Sequence, residues 1–413
     1  MKLFGARVDR VRTHAARFPR SFWIVMSGEA IQSVGFGATV PFLALYFTET
    51  VGLSAARAGG VLLLFSVVGI VAQPLGGVLA DRIGRRPIIL GGLAVGAVAV
   101  LAFSAASSLL AVALLSLLWG LGYGVFEPAA GAFVTDVAPR ELRTEAFGLW
   151  RVVNNAGFAV GPPLAALVIW LSSLRGTFVL AGVTVLVFLA IAWRALPETR
   201  PDQVEGEPPA RFREALHDRL LLILLFGSGI ASFIYALFES ALPVFLHEER
   251  GLSIATWGIV FGINPVLVAV FQYPISRWST RHSTRGVLAL GLLILGLAMA
   301  LVWPFESLVV LVAAVVLFTL GEMLQFPVAT AAAADLAPER LRGSYQGALN
   351  LAFEGSWGPA AVIGLALIGA GHGGLLFAAA FPLGVVGALV FLLLPGGRVH
   401  REPPPVAVEP ARP

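Results

Sequence analysis

Apolar residues run along this chain in long blocks, separated by polar stretches short enough to be turns. The first block extends from about Phe22 to Tyr46 and is followed by a short loop at Thr48 to Arg57. Two more, Val61 to Leu79 and Ile88 to Phe103, flank a tight charged loop. Others run from about Leu109 to Val134, Phe147 to Leu171 and Thr177 to Ala195. A helix crossing a bilayer needs about 20 apolar residues, and each block qualifies. Leu196 to Arg219 breaks the pattern, with Pro197, Pro201, Pro208 and Pro209 among many charges, which predicts a linker with a short amphipathic helix at Ala210 to Leu220. Six further blocks follow, near 220–246, 255–277, 286–303, 307–334, 345–369 and 373–394. The proline-rich stretch from Pro395 onward reads as disordered. The pattern predicts an all-α polytopic membrane protein of 12 transmembrane helices: an N-terminal segment 1–20, a six-helix bundle 21–195, a linker 196–219, a second bundle 220–395 and a tail 396–413.

Composition agrees with that class. Of the 413 residues, 58% are hydrophobic and 13% charged, whereas soluble domains carry about 25% charged residues. Met1 to Arg20 is basic and polar, and the apolar run that follows is too long for a signal-peptide core, so it reads as the first span. There is no cysteine, which excludes disulfides, thiol catalysis and cysteine metal sites. The net charge of +4 does not point to nucleic acid. With both termini placed inside, 24 Lys and Arg residues fall on the cytoplasmic side, Arg57, Arg175 and Arg250 fall outside, and Arg151 lies within a span. That asymmetry fixes the predicted topology under the positive-inside rule and places the chain in the plasma (inner) membrane, where the cations can touch anionic lipid.

An internal repeat supports the two-bundle reading. Thr135-Asp136-Val137-Ala138-Pro139-Arg140-Glu141-Leu142-Arg143 matches Ala334-Asp335-Leu336-Ala337-Pro338-Glu339-Arg340-Leu341-Arg342 at an offset of 199. At the same offset Gly122 meets Gly321, Pro128 meets Pro327, Gly148 meets Gly347, and Gly52-Leu53-Ser54 meets Gly251-Leu252-Ser253. Gly161-Pro162 meets Gly358-Pro359 after a two-residue deletion. Two six-helix halves in the same orientation are related by an axis along the membrane normal, as in parallel-repeat transporters.

The charged loop, Gly76 to Leu90, reads GGVLADRIGRRPIIL. Its residues Gly77, Leu79, Asp81, Arg82, Gly84, Arg85 and Arg86 stand in the order of a family signature. The loop resembles the one between the second and third helices of the major facilitator superfamily, and the resemblance extends over about residues 20–395. It implies that the loop acid faces the start of the eleventh helix, a positive dipole end. It also implies that the downstream arginine pairs with an acid ending the fourth helix, here Asp136, and that the cluster latches the two halves while the transporter is open outward. A plain topogenic loop is the alternative. The second copy is degraded: Pro274 matches Pro74, but Arg281 replaces Asp81 and Thr284 replaces Gly84, and only Arg285 stands opposite Arg85. The fifth block carries Asn154-Asn155-Ala156-Gly157-Phe158-Ala159-Val160-Gly161-Pro162-Pro163. Gly157 and Gly161 share one helix face and permit close packing, and Pro162 leaves the Phe158 carbonyl without its helical partner. The pattern resembles the glycine-proline motif of facilitator antiporters; simple packing at the interface between halves is the alternative. One departure stands out. Drug–proton antiporters carry an arginine in the fourth helix, four residues before a glycine, where this chain has Ser116.

Ionisable residues within spans are the first candidates for a site, because a mid-bilayer charge costs about 2.5–3.5 kcal/mol even on insertion scales. They are Glu29, Glu127, Glu239, Glu322, Glu354 and Arg151. Glu29, with Gln32 one turn later, is the preferred proton or cation carboxylate, since the first and seventh helices line the cavity in the family. Glu127 and Arg151 sit at similar depths and are expected to pair, which eases the burial of both; a titrating Glu127 that frees Arg151 for an anion is the other reading. Glu322 is a candidate to pair across the cavity. Burial of an unpaired carboxylate disfavours its charged form, the property that proton coupling needs. Polar and aromatic candidates are Tyr46, Trp119, Tyr123, Asn154, Asn155, Tyr235, Gln272, Tyr273, Gln325 and Asn350. The six histidines lack metal-ligand spacing, so no metal site is expected. There is no phosphate-binding loop and no nucleophile constellation, so neither ATP nor an enzyme activity is expected, and no cofactor beyond a proton gradient. The expectation is a monomeric secondary transporter that exports drugs or other hydrophobic small molecules in exchange for protons. An exporter or flippase of a lipid-linked or sugar compound and a proton symporter importing a metabolite are the alternatives.

Overall fold

A computed structural model describes residues 16–200, 211–304 and 307–396. The N-terminal segment expected over 1–20 and the tail fall largely outside the described residues, as do residues 201–210 of the linker. The described residues fold into helices and turns, in twelve successive segments. In the first half these are α1 (Arg20–Thr39, continued by short turns Val40–Phe42, Leu43–Leu45 and Tyr46–Thr50), α2 (Ala55–Ile83), α3 (Arg85–Phe103), α4 (Leu109–Val137), α5 (Arg143–Leu171) and α6 (Leu174–Ala195). In the second half they are α7 (Arg219–Ser240 and Leu242–Glu248), α8 (Ile254–Phe261 and Ile263–Ser279), α9 (Thr284–Ala300), α10 (Leu308–Leu336), α11 (Arg342–Glu354 and Trp357–Gly369) and α12 (Gly373–Phe391). Ten segments are long and apolar enough to cross a membrane by length and composition, and α9 is a shorter apolar helix. The remaining segment, α1, carries Ser27, Glu29, Gln32 and Ser33, which lower its hydropathy. Of the expected amphipathic helix at 210–220, a single turn, Phe212–Ala215, is helical among the described residues; Asp218 then caps α7 by accepting from the Leu220 amide.

The predicted spans are continuous, but α1, α7, α8 and α11 change course part-way. Proline explains all four breaks, including that in α8, where Pro265 has no N–H for the carbonyl of Phe261, the last residue of the first piece. Pro41 lies in the 3-10 turn that interrupts α1, and Pro243 lies in the first turn of the second piece of α7. Pro359 has no N–H for the carbonyl four residues back, at Gly355, where the first piece of α11 ends. A missing donor and a ring clash end regular hydrogen bonding at each place.

The halves meet at one end. The first piece of α11 packs on α2 and α4, the second piece of α8 packs on α5, and α10 packs on α5. The outer pieces Leu242–Glu248, Ile254–Phe261 and Trp357–Gly369 make their substantial contacts within their own half. A cleft therefore opens toward the arginine-poor end and is closed at the arginine-rich end. Small residues make the closure possible: a side chain on Gly77 would strike the backbone of Gly343, and one on Gly347 would meet the backbone of Gln73 and Pro74.

The glycine-proline stretch of α5 does not lie between the halves. Gly157 faces Ser33 and Val34, and Gly161 faces Gly37 and Ala38, so the motif seats α5 on α1 inside the first half. The replacement Gly161→Val, which forces a side chain into the α1 backbone, is expected to destabilise the first half by about 1–3 kcal/mol. Thermal unfolding in detergent measures this, and an unchanged midpoint would refute the close-packing role.

Candidate functional site

The closed end is built on buried charge. Asp81, at the last turn of α2, is 5% exposed. Its Oδ1 accepts from the Gly343 amide at 2.8 Å, and its Oδ2 accepts from the amide and the hydroxyl of Ser344, each at 2.7 Å. The first turn of a helix has amides without intrahelical partners and a positive dipole end, and a carboxylate from the opposite half fills that place on α11. Arg85, fully buried, lies 3.5 Å from Asp81 and donates from Nε to Asp136 at 3.0 Å, from Nη1 to the Ala80 carbonyl at 3.1 Å and from Nη2 to the Glu339 carbonyl at 3.1 Å. Gly84 allows the turn between α2 and α3, with φ of +128°, a conformation other residues rarely adopt.

The repeat motif supplies two more bridges, and they cross. Arg342 of the second copy pairs with Asp136 of the first at 2.6 Å, while Arg143 of the first pairs with Asp335 of the second at 2.5 Å. Arg143 also donates to the carbonyls of Ala334 and Thr135. A further element was not anticipated. Glu198, just past α6, accepts from the amides of Arg85 and Arg86 at the start of α3, at 2.9 and 3.2 Å, and the Thr199 hydroxyl donates to Asp136 at 2.8 Å. Arg200 donates to the Arg82 carbonyl, and Arg86 to the Trp193 carbonyl. The Pro197-Glu198-Thr199-Arg200 run was the available signal, a carboxylate at the edge of a span facing a helix start, but it reads as ordinary linker by composition.

Between the halves lies a cavity of about 280 Å³. From the first half, Tyr123 and Glu127 of α4 and Trp150, Arg151 and Asn154 of α5 line it. From the second, Tyr235 of α7, Phe326 of α10 and Asn350, Phe353, Glu354 and Trp357 of α11 line it. Gln73 and Asn350 join the walls at its floor through a 3.0 Å hydrogen bond.

The lining corrects several sequence-based expectations. No residue of α1 is in it. Glu29, 3% exposed, sits behind α5. With the Asn154 amide oriented to satisfy its neighbours, that nitrogen donates to Glu29 Oε1 at 3.0 Å and the oxygen accepts from the Trp150 indole at 2.9 Å. Glu29 Oε2 and Gln32 Oε1 are buried without hydrogen-bond partners among the described residues. Gln32 borders a separate small void beside Trp119. Asn155 is turned away and donates to the Arg151 carbonyl of its own helix. Tyr46 is buried against the carbonyls of Phe103 and Ala106. Gln272 bonds Ser276 and the Met323 carbonyl, and Tyr273 donates to Glu145. Gln325 is buried off the cavity.

The expected Glu127–Arg151 pair does not form. Arg151 instead reaches across to Glu322 of α10, and its guanidinium lies 4.7 Å from the Phe326 ring centre and 5.9 Å from that of Tyr235. Glu322, fully buried, is held on its other oxygen by Asn264 at 2.6 Å. The α10 carboxylate is thus held by both Arg151 and Asn264, and Asn264 also donates to Thr319. Glu127 is left with Tyr123, one turn earlier, as its hydrogen-bonding neighbour. Glu239 lies behind Tyr235 and accepts from its hydroxyl at 2.8 Å. Glu354 has no ion pair among the described residues; the carboxylates of Glu239 and Glu127 are its charged neighbours.

Comparison with known proteins fixes the family. The model of the Major Facilitator Superfamily matches residues 25–268 and 224–413. The chain belongs to the major facilitator superfamily. Among its relatives, the multidrug resistance protein MdtH of Shigella boydii is 28% identical over 79% of this chain and 81% of its own. A Na(+), Li(+), K(+)/H(+) antiporter of Planococcus maritimus is 25% identical, covering 81% and 86% respectively. The crystal structure of a bacterial homologue of the iron transporter ferroportin in an outward-facing state matches with a TM-score of 0.76 at 17% identity, over 91% of this chain and 99% of that one. The protein is thus a multi-pass membrane transporter of small molecules and not an enzyme.

Because Asp81 holds α11 from the opposite half, Asp81→Asn is expected to slow transport about tenfold, equivalent to roughly 1.4 kcal/mol in the conformational step, while substrate affinity stays within about twofold. Transport assays paired with equilibrium binding test this. Full transport at normal expression would show that the loop serves topology alone.

Proposed function

We propose that the protein exports hydrophobic organic cations in exchange for protons, by rocking one half against the other around the central cavity. The observation that carries the reading is the charge balance of that cavity. Its one arginine is occupied by Glu322 and two aromatic faces, whereas Glu127 and Glu354 line it without an ion-pair partner among the described residues. Carboxylates in a low-dielectric cleft hold either a proton or a cation, and competition between the two is antiport. Aromatic walls add cation–π and apolar contact for a lipophilic cargo.

The relatives' names support the same class, since one is a multidrug resistance protein and another a monovalent cation/proton antiporter. With the arginine-rich end at the cytoplasm, as the loop charges favour, the open cleft faces outward and the Asp81 cluster is the inner latch. Glu29 serves this reading as a proton carrier behind Asn154, out of reach of cargo. An anionic lipid or sugar is less well served, because Arg151 would first have to be taken from Glu322.

In proteoliposomes with an imposed pH gradient and an internal pH dye, tetraphenylphosphonium is expected to evoke proton movement. Glu127→Gln is expected to cut that movement at least about tenfold, a loss of roughly 1.4 kcal/mol, and cation binding should weaken as pH falls. Proton movement with anionic amphiphiles and none with cations would reverse the reading.

A further inference from the structure

The two carboxylates without ion-pair partners among the described residues at the cavity stand on opposite walls. Glu127 belongs to α4 in the first half and Glu354 to α11 in the second, and both line the same space. Glu354 acts on Glu127 across the space, and each has a second carboxylate neighbour behind it, Glu29 for Glu127 and Glu239 for Glu354. Arg151, the other charged residue of the lining, brings no net attraction for an anion, because Glu322 holds it. Aromatic rings lie on both walls: Tyr123 and Trp150 on one, Tyr235, Phe353 and Trp357 on the other. A cation that met one carboxylate would leave the second ionised in an apolar cleft, a state disfavoured unless that second group keeps a proton.

We propose that the preferred cargo is an organic dication, with one positive group at Glu127, the other at Glu354 and a flat apolar body between the aromatic walls. This rests on the cation–proton exchange reading and sharpens it. The exchange balances: a dication entering displaces two protons, one from each carboxylate, so the cavity is neutral before and after and no net charge crosses with the cargo. A monocation displaces one proton and the other carboxylate stays protonated. The position of the acids in different halves has a further effect. A cargo held at both ends bridges the halves, so it stabilises the arrangement in which the walls approach.

Propidium and ethidium share one phenanthridinium ring system and differ chiefly by a second, quaternary ammonium charge, which makes them a matched pair of probes. Fluorescence titration of the purified full-length protein in nanodiscs is expected to give propidium at least about tenfold tighter binding than ethidium. In Glu127→Gln and in Glu354→Gln, both dyes weaken and their affinity ratio falls to within about threefold of unity, the collapse expected when one of two coupled contacts is removed. A wild-type ratio at or below one overturns the proposal, as does a ratio that survives in either variant. Gel filtration identifies a misfolded variant, and the wild-type ratio then decides without it. Equal binding of the two dyes would remove the dication and leave cation–proton exchange standing; no binding of either would remove both.

Discussion

A carboxylate buried against the first turn of a helix holds this molecule shut at one end. Asp81 reaches from α2 to the free amides of α11, and that placement makes sense only if the two helices touch. Touching in turn requires that Gly77, Gly343 and Gly347 carry no side chain. Burial of so much charge is tolerable because each group is answered. Arg85 stands between Asp81 and Asp136, Arg342 shares Asp136, and the carbonyls of Ala80 and Glu339 accept from Arg85. Removing one member of such a set leaves its partner desolvated, at about 3–5 kcal/mol for a buried pair. The cluster is therefore stable when whole and weak when any part is lost.

Closure at one end dictates what happens at the other. With α2 against α11 and α5 against α8, the halves splay toward the arginine-poor end, and the breaks in α7, α8 and α11 let their outer pieces stay with their own half. The cavity is the wedge that remains. Its floor is the Gln73–Asn350 bond, and the Arg151–Glu322 pair joins its walls. Each wall is a half with its own apolar core, so the walls can move as bodies while the contacts between them change.

Local features of the chain were legible in its sequence, and long-range partners were not. Hydrophobic block length gave the helices, and the repeat at 199 gave the halves, because both are written in neighbouring residues. The loop from Gly76 to Leu90 carried enough specific residues to suggest that its acid would meet α11 and that Arg85 would meet Asp136. Arg151 was different. Glu127 and Glu322 were both at plausible depths, and which of them meets the guanidinium depends on helix rotations the sequence does not reveal. Glu29 was placed in the cavity because α1 lines it by family resemblance, whereas here α5 stands between the two. Close packing of Gly157 and Gly161 could be read, but not the helix they pack against. Glu198 escaped because its partners are backbone amides, which have no sequence signature.

The crossed bridges of the repeat motif have a mechanical meaning. Arg342 to Asp136 and Arg143 to Asp335 exchange partners as a two-fold dimer interface does, with residue i on one side meeting j on the other and the reverse. One bridge would be a pivot about which the halves could swivel. Two, placed on either side of the pseudo-axis, remove the swivel and leave a single easy rotation about the line that joins them. Parting the near end must break both bridges at once, so these four side chains resist opening there as a set.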